Sequence, residues 1–389
     1  MTLNLIADRV VNDKIYPALA QTHSRDFDQH YPYTVPLRLQ EYCITYGVEL
    51  NITDIDSEWP ADIFYPVGLG FFDFGIDYFE LMPERIRTGL FFDDVRVLFY
   101  YHEGDNPWHI KTRLDELCAK HNLRNNCYRF VSGNTAAKTL PNFVYFADFE
   151  LWYYQRNRSS PALKIHTNPR EREFTVLNRL HKSWRSLAMT DLKHNGILDN
   201  SYWSYCETGK FVDSECAIEV DDIAGLRTRT EKFLQSAPYI SDELDFDQCN
   251  DHRTLVPKYH VNSYCNIVIE THFDIESSGT FLTEKTFKPI KHGQMFFVAG
   301  PAGSLQVLRE LGYRVFDSVL DNRYDLEPNA TQRWMALTRS IFFTQPDLPQ
   351  LFALCRADIE HNQQLFLASK KDRLNTLIKE INESHYLLY

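Results

Sequence analysis

The stretch that most constrains this chain runs from Tyr264 to Phe316. It opens with Cys265-Asn266-Ile267-Val268-Ile269, an apolar run of strand length that ends in Glu270. A polar, glycine-containing segment leads to Thr283-Glu284-Lys285-Thr286-Phe287-Lys288-Pro289-Ile290-Lys291-His292-Gly293. A second apolar run, Met295 to Ala299, stops at Gly300-Pro301. Ser304 then begins a short amphipathic segment that closes at Gly312, before Tyr313-Arg314-Val315-Phe316. Period and punctuation together predict strand, helix, strand, helix, strand. Thr283 and Ser304 are the expected N-caps, and Gly293 and Gly312 the expected residues just past each helix. Short strands joined by helices build a parallel sheet, and such sheets place ligands at the carboxyl ends of their strands. Glu270 and the Thr283-Glu284-Lys285 turn fall at that edge.

Lys285 is the informative residue here. A cation in the first turn of a helix faces the positive end of the macrodipole, which is unfavourable by a few tenths of a kcal/mol. An anion bound there reverses the sign, because free backbone N–H groups and the ammonium both face it. An isolated lysine also reads as a side chain bent into water. The neighbours Glu270, Glu284 and Lys288 favour the anion site.

A glutamate at a strand end, Thr-Glu-Lys opening a helix, and a glycine before an apolar strand that itself ends in glycine resemble the donor-binding motif of the fucosyltransferase-type glycosyltransferases. The resemblance covers about fifty residues. It implies a GT-B fold: α/β, two Rossmann-like domains with parallel sheets, and a helical C-terminus that crosses back. It also implies a nucleotide diphosphate sugar (GDP- or UDP-sugar) as donor, with no metal requirement and no tightly bound cofactor. The chain departs from the family where Thr271-His272 follow Glu270, where no matching tyrosine precedes Thr283, and where Met295-Phe296-Phe297 replace Val-Pro-Val. The match therefore points to a GT-B glycosyltransferase more than to fucose.

The length of 389 residues exceeds one ordinary core and fits two domains. The expected division is an acceptor domain at 1–160, a donor domain at 161–360 and a C-terminal helix at 361–389. A net charge of −12 argues against non-specific binding to nucleic acid or anionic membrane, which needs a basic face. The eight cysteines lack CxxC spacing and read as reduced, buried thiols. No basic-then-apolar leader opens the chain, and no apolar run approaches membrane-spanning length. These features predict a soluble cytoplasmic protein of a bacterium or a phage-infected host. The aromatic share of 14% is high, and Tyr and Trp near loops are what sugar rings stack on.

In the first half, strands are expected at Leu3–Ala7, Val48–Ile52, Asp62–Val67, Val95–Tyr101, Cys127–Asn134 and Asn142–Phe146. Helices are expected within Thr34–Tyr46 and at Trp108–His121. The aromatic stretch Phe71–Phe79 reads as a core-facing loop or as an acceptor platform. Val95–Tyr101 runs into His102-Glu103-Gly104-Asp105-Asn106-Pro107, a turn-rich loop of the kind that carries function. A sugar transferase needs a base for the acceptor hydroxyl, and a carboxylate on such a loop can serve. Glu103 is the candidate by its place in the chain, with Asp105 beside it. A carboxylate that caps the next helix is the plain alternative.

Trp152–Asn168 reads as the interdomain linker, and a strand follows over Pro169–Leu177. Arg179, Lys182 and Arg185 cluster at the next strand-to-helix junction, and the helix runs from Lys182 to Gly196. Guanidinium groups bind phosphate oxygens bidentately, and the junction adds backbone donors. A charge run is also an ordinary solvated helix face. The family resemblance favours the diphosphate, with Arg179 and Arg185 the leading candidates. Asn200–Glu219 reads as loop and short strands, Asp221–Leu234 as partly helical, and the acidic Tyr239–Asp251 as a solvated loop without calcium-loop spacing. Helices are expected at Thr331–Phe343 and Pro346–Tyr386.

No P-loop, dinucleotide fingerprint, nucleophile elbow or zincin motif occurs. The reading is a nucleotide-sugar glycosyltransferase acting on a hydroxyl of a glycan, small molecule or modified DNA. Arg179, Lys182, Arg185 and Lys285 surround the diphosphate, Thr283 caps its helix, and Glu270 or Glu284 meets the nucleoside or sugar hydroxyls. If Glu103 is the base, a single inverting displacement is the simplest course. Two alternatives stand beside it: a phage-type enzyme glycosylating a modified DNA base, and a non-catalytic nucleotide- or glycan-binding protein on the same fold.

Overall fold

The computed structural model describes residues 2–7, 37–70, 72–157, 161–219, 225–239, 256–274 and 279–383. The chain divides into two compact units, Met1–Leu151 with Ser369–Tyr389, and Trp152–Ala368.

The first unit alternates strands and helices: β1 (Leu3–Ala7), α1 (Leu37–Tyr46), β2 (Leu50–Asp54), β3 (Ile63–Leu69), α2 (Glu84–Phe92), β4 (Arg96–Tyr101), α3 (Pro107–Lys120), β5 (Tyr128–Ser132), β6 (Phe143–Tyr145) and α4 (Asp148–Arg156). All six strands run parallel in the order β2-β1-β3-β4-β5-β6. A parallel sheet is covered on both faces, so its strands are apolar without alternation. Every residue of β4 is buried accordingly. The aromatic surplus goes largely into this core, where Phe130 stacks on Phe143 at 4.9 Å and packs edge-on against Phe72 at 6.0 Å. Phe72, Ile76, Tyr78 and Phe79 of the aromatic stretch belong to the same core, while Phe74 points outward.

The boundary between the units falls within α4, so the aromatic run at Trp152 is the second half of a helix rather than the start of a linker. Asp148 anchors the start of that helix. It is buried and accepts hydrogen bonds from Tyr100 Oη at 2.6 Å, Tyr42 Oη at 3.2 Å and Arg38 Nη1 at 2.5 Å.

The second unit contains β7 (Arg172–Asn178), α5 (Ser183–His194), β8 (Ser201–Tyr205), α6 (Leu226–Gln235), α7 (Pro257–Val261), β9 (Ser263–Ile269), α8 (Glu284–Lys291), β10 (Met295–Ala299), α9 (Ser304–Glu310), α10 (Ala330–Thr344), α11 (Leu348–Leu354) and α12 (Arg356–Leu367). Its sheet is parallel with the order β10-β9-β7-β8. The last helix, α13 (Lys371–Glu383), packs in the first unit against α1 and β6. It is held there by Lys370 Nζ at 2.8 Å from Glu150 and by an Arg373–Glu150 ion pair. Both sheets thus share the doubly wound order, in which the chain builds outward on one side and then crosses to the other. The direction reverses between β1 and β3 in the first sheet and between β7 and β9 in the second. These are the topological switch points at which open α/β sheets bind ligands. The molecule is α/β with two Rossmann-like units, as its sequence predicts.

Four local expectations are corrected. Tyr313–Phe316 is not a strand. The Asn362 side chain pairs with both backbone groups of Arg314, accepting from its N at 2.8 Å and donating to its O at 2.7 Å, while Asn322 donates to Val315 O at 2.7 Å. Side chains therefore satisfy the backbone that a sheet neighbour would otherwise pair. The N-cap of α9 is Gly303 at φ 83°, and Ser304 Oγ turns back to donate to Pro301 O. Of the linker expected over Trp152–Asn168, Trp152–Arg156 are helical and complete α4, while 161–168 have no helix or strand. Finally, the helix expected over Pro346–Tyr386 is three helices, broken at Cys355 and again at Ala368 where the backbone is extended. The charged segment at 221–224, the acidic loop from 240 onward, Thr34–Pro36 and 384–386 lie outside the described residues.

Candidate functional site

At the β7/β9 switch point, β9 ends in a glutamate whose backbone and side chain do separate work. Glu270 N continues the ladder to Ala299 O at 2.9 Å. Its side chain is fully buried, and each carboxylate oxygen accepts twice. Oε1 takes Thr283 N at 3.0 Å and Thr286 Oγ1 at 2.6 Å. Oε2 takes Thr283 Oγ1 at 2.7 Å and Thr271 N at 3.1 Å. Four donors fill the group's lone-pair capacity. An anion at a helix N-terminus is also favoured by the macrodipole. Glu270 is thus a brace that ties the end of β9 to the first turn of α8.

The carbonyl oxygen of Glu270 receives the buried Arg185, through Nε at 3.1 Å and Nη2 at 2.9 Å, and Nη1 reaches Leu180 O at 3.3 Å. Burial lowers the Arg185 pKa, with Glu270 and Glu284 opposing that shift. Its guanidinium therefore secures the two loops at the strand ends and stands behind the site as fixed positive charge.

Lys285, in the first turn of α8, reaches over this brace. Its ammonium lies 3.3 Å from Thr271 Oγ1, 3.2 Å from Thr283 Oγ1 and 3.2 Å from Glu284 Oε1, with 28% of the side chain exposed. Thr283 caps α8, accepting from Lys285 N at 3.4 Å. Glu284 is buried, so the ammonium is the solvent-facing charge of the pair.

Across the switch point, Arg179 follows the last residue of β7 and is half-buried. Lys182 is the N-cap of α5 and places no side-chain acceptor on the first-turn N–H groups. Within that turn Arg185 N donates to Lys182 O at 3.0 Å. Beside them lies a pocket of ≈ 280 Å³, lined by Lys182, Ser183 and Trp184 from α5, by Thr271, His272, Phe273 and Asp274 after β9, and by Ala217. Trp184 stacks on Phe273 at 5.1 Å and forms an aromatic wall. Arg179, Lys182, Arg185 and Lys285 stand around the switch point together with the carboxylates of Glu270, Glu284, Asp274 and Glu207, the last accepting from His181 N at 2.7 Å.

Arg185, Glu270, Thr283, Glu284 and Lys285 are thus joined in one hydrogen-bonded group, and Lys182 lines the adjoining pocket with Thr271. Reading the sequence passed over Thr271 and Trp184. The signal for Thr271 is its place two residues past the apolar run of β9, directly after Glu270. Trp184 had the weaker signal of an aromatic in the first turn after the basic junction.

Glu103 belongs to the first unit, on the loop at the carboxyl end of β4. Its side chain is 38% exposed, and its Oε1 lies 3.4 Å from Nε2 of the buried His102. Asp105, on the same loop, accepts a hydrogen bond from Tyr101 Oη, whose pKa is held well above the usual phenol range by burial and then by Asp105 itself. The loop is tied at two further points. Asn106 caps α3 by accepting from Trp108 N at 3.0 Å, and Asn134 donates to Gly104 O at 3.0 Å. Trp108 is half exposed beside it.

No family model and no curated protein matches this chain in sequence. Among solved structures it is similar to a T4 phage β-glucosyltransferase mutant in complex with UDP-glucose, at 10% identity and TM-score 0.36, covering 98% of this chain and 100% of that one. It is similar to the GtfA/B complex at 13% identity and TM-score 0.35, over 77% of this chain and 60% of that one. It is also similar to a glycosyltransferase from Rickettsia africae at 10% identity and TM-score 0.30, over 98% of each chain. Likeness at this level assigns neither family nor activity.

Proposed function

We propose that the chain is a nucleotide-sugar-dependent glycosyltransferase whose second unit binds the donor diphosphate at the β7/β9 switch point. The observation that carries this reading is the setting of Lys285. Its ammonium, the first turn of α5 and Lys182 all stand at one carboxyl edge beside a pocket large enough for part of a nucleotide sugar. In this reading the diphosphate meets Lys285, Thr271 and the first turn of α5. Arg179 and Lys182 add charge, and Arg185 holds the frame. Glu284 or Asp274 accepts from a sugar or ribose hydroxyl.

In the first unit Glu103, or Asp105 beside it, takes the proton of the acceptor hydroxyl. The acceptor oxygen forms a bond to the anomeric carbon, the bond from that carbon to the diphosphate oxygen breaks, and the nucleoside diphosphate leaves with the electron pair and inverted product stereochemistry. Lys285 neutralises the charge that develops on the leaving oxygen, an interaction stronger in the transition state than in the ground state. The fixed cations supply the charge that a metal ion supplies in other transferases. UDP- and GDP-sugars are the donor classes to test.

The test is thermal stability against UDP, GDP and their sugars, with and without magnesium. A ligand selective for the folded state stabilises by RT ln(1 + [L]/Kd), about 2.7 kcal/mol at a hundredfold excess over Kd. The expected result is stabilisation by one nucleotide class that is lost in Lys285→Ala. Absence of any nucleotide effect on folded protein, or an undiminished effect in Lys285→Ala, overturns the donor-site reading.

A further inference from the structure

A groove of ≈ 730 Å³ on the second unit, remote in sequence from the switch-point residues, runs between the short turn Asn322–Leu326 and α10–α11. It is lined by Tyr324, Phe343 and Leu351 and by the charged Arg339, Glu327 and Asp347, with Asp321 and Arg323 paired to each other at 2.6 Å. Large apolar side chains are exposed along and beside it, from 57% for Phe342 to 74% for Leu326, with Phe343 at 70% and Leu354 at 72%. Phe343 lines the groove and its ring meets Phe342 edge-on at 5.9 Å, so these two form one exposed aromatic cluster of the kind that marks an interaction site. Among the described residues, Arg339 makes no ion pair with Glu327 or Asp347, although all three line the same groove.

The spacing of these groups is what selects an occupant. Phe343 sits midway between Arg339 and Asp347, four residues from each. A two-fold axis through Phe343 would set that ring against its own copy and bring Arg339 onto the partner's Asp347, twice by symmetry. An isologous contact requires this self-complementarity, with residue i meeting j and j meeting i. A partner of one charge sign would leave part of the mixed lining unmatched.

We propose that this groove is the contact face of a homodimer, with α10 of two copies packed antiparallel about Phe343. The exposed cluster is small for a specific interface, so the dimer is in concentration-dependent exchange with monomer. Its formation does not depend on the transferase reading.

The experiment is sedimentation velocity of the full chain from about 1 to about 100 µM, at about 0.15 M salt to screen the net charge. The expected result is a shift from monomer to dimer across that range. Phe343→Glu should leave monomer throughout. Arg339→Asp should weaken association at least about tenfold, and Asp347→Arg added to it should restore the dimer. All three positions are exposed, and unchanged circular dichroism and melting temperature establish that the variants fold. A wild-type chain monomeric throughout, a dimer indifferent to Phe343→Glu, or a double exchange that fails to restore association each overturns the proposal.

Discussion

Replacing Glu270 by glutamine tests the brace at the heart of the second unit with a change of one atom. The amide keeps one oxygen and turns the other into an NH₂ group, which can no longer accept. Two of the four donors are hydroxyls, on Thr283 and Thr286, and each can rotate to accept from that NH₂. The other two, Thr283 N and Thr271 N, are backbone donors that cannot reverse. Each amide orientation sets the NH₂ against one of them. A buried backbone N–H left without an acceptor costs about 1–3 kcal/mol, and loss of the negative charge at the start of α8 adds about 0.5–2 kcal/mol. The expected loss is about 2–4 kcal/mol, a large share of the 5–15 kcal/mol typical of a domain. Urea unfolding followed by tryptophan fluorescence measures it, with nucleotide stabilisation recorded in the same samples. A loss below about 1 kcal/mol would refute the brace. Weakened nucleotide binding at unchanged stability would assign the carboxylate to the ligand instead.

Other outcomes follow from the same geometry. Lys285→Ala should change stability by less than about 1 kcal/mol, because its ion pair is partly exposed, while abolishing the nucleotide effect. Glu103→Gln should remove acceptor-dependent turnover yet leave the donor-induced rise in melting temperature intact; full turnover would move the base to Asp105 or elsewhere. Asn362→Ala should cost about 2 kcal/mol in urea unfolding by orphaning both backbone groups of Arg314. Burial lowers the pKa of His260 to about 4, with Lys288 and Arg170 contributing and Gln294 opposing; burial, then His260 and two lysines, lower that of His292 to about 2. Both values lie below the unfolded value near 6.5, so the unfolded chain binds more protons. This stability is complete above about pH 6.5 and is lost as pH falls, at up to about 1.4 kcal/mol per pH unit for each histidine. Urea midpoints between pH 7 and pH 5 should show it, with a slope that His292→Leu roughly halves.

Much of the fold is legible in the sequence because parallel strands buried on both faces are written as uninterrupted apolar runs. Met295–Ala299 is such a run and Cys265–Ile269 is broken only by Asn266, and both are strands of the second unit's sheet. Tyr313–Phe316 carries the same pattern and misleads, since its backbone partner is Asn362, some fifty residues on, which no local period encodes. The edge bearing Glu270, Thr283 and Lys285 was likewise visible. What a linear reading could not supply was direction. The carboxylate of Glu270 points at donors thirteen to sixteen residues ahead, and the guanidinium of Arg185 points at a carbonyl eighty-five residues ahead. Both charges belong to the site's frame, a role that depends on which strand ends the topology makes neighbours.

The return of α13 to the first unit has a consequence for synthesis. Glu150 is wholly buried, and its cationic partners, Lys370 and Arg373, lie some 220 residues downstream. At about 5–20 residues per second, a ribosome takes roughly 10–40 s to make the intervening segment. Throughout that interval the first unit carries a carboxylate that it cannot bury without its counter-charge. The portion translated first is therefore completed last, after the second unit has emerged in full, and a chain cut after Ala368 would lack the pieces that close its own beginning.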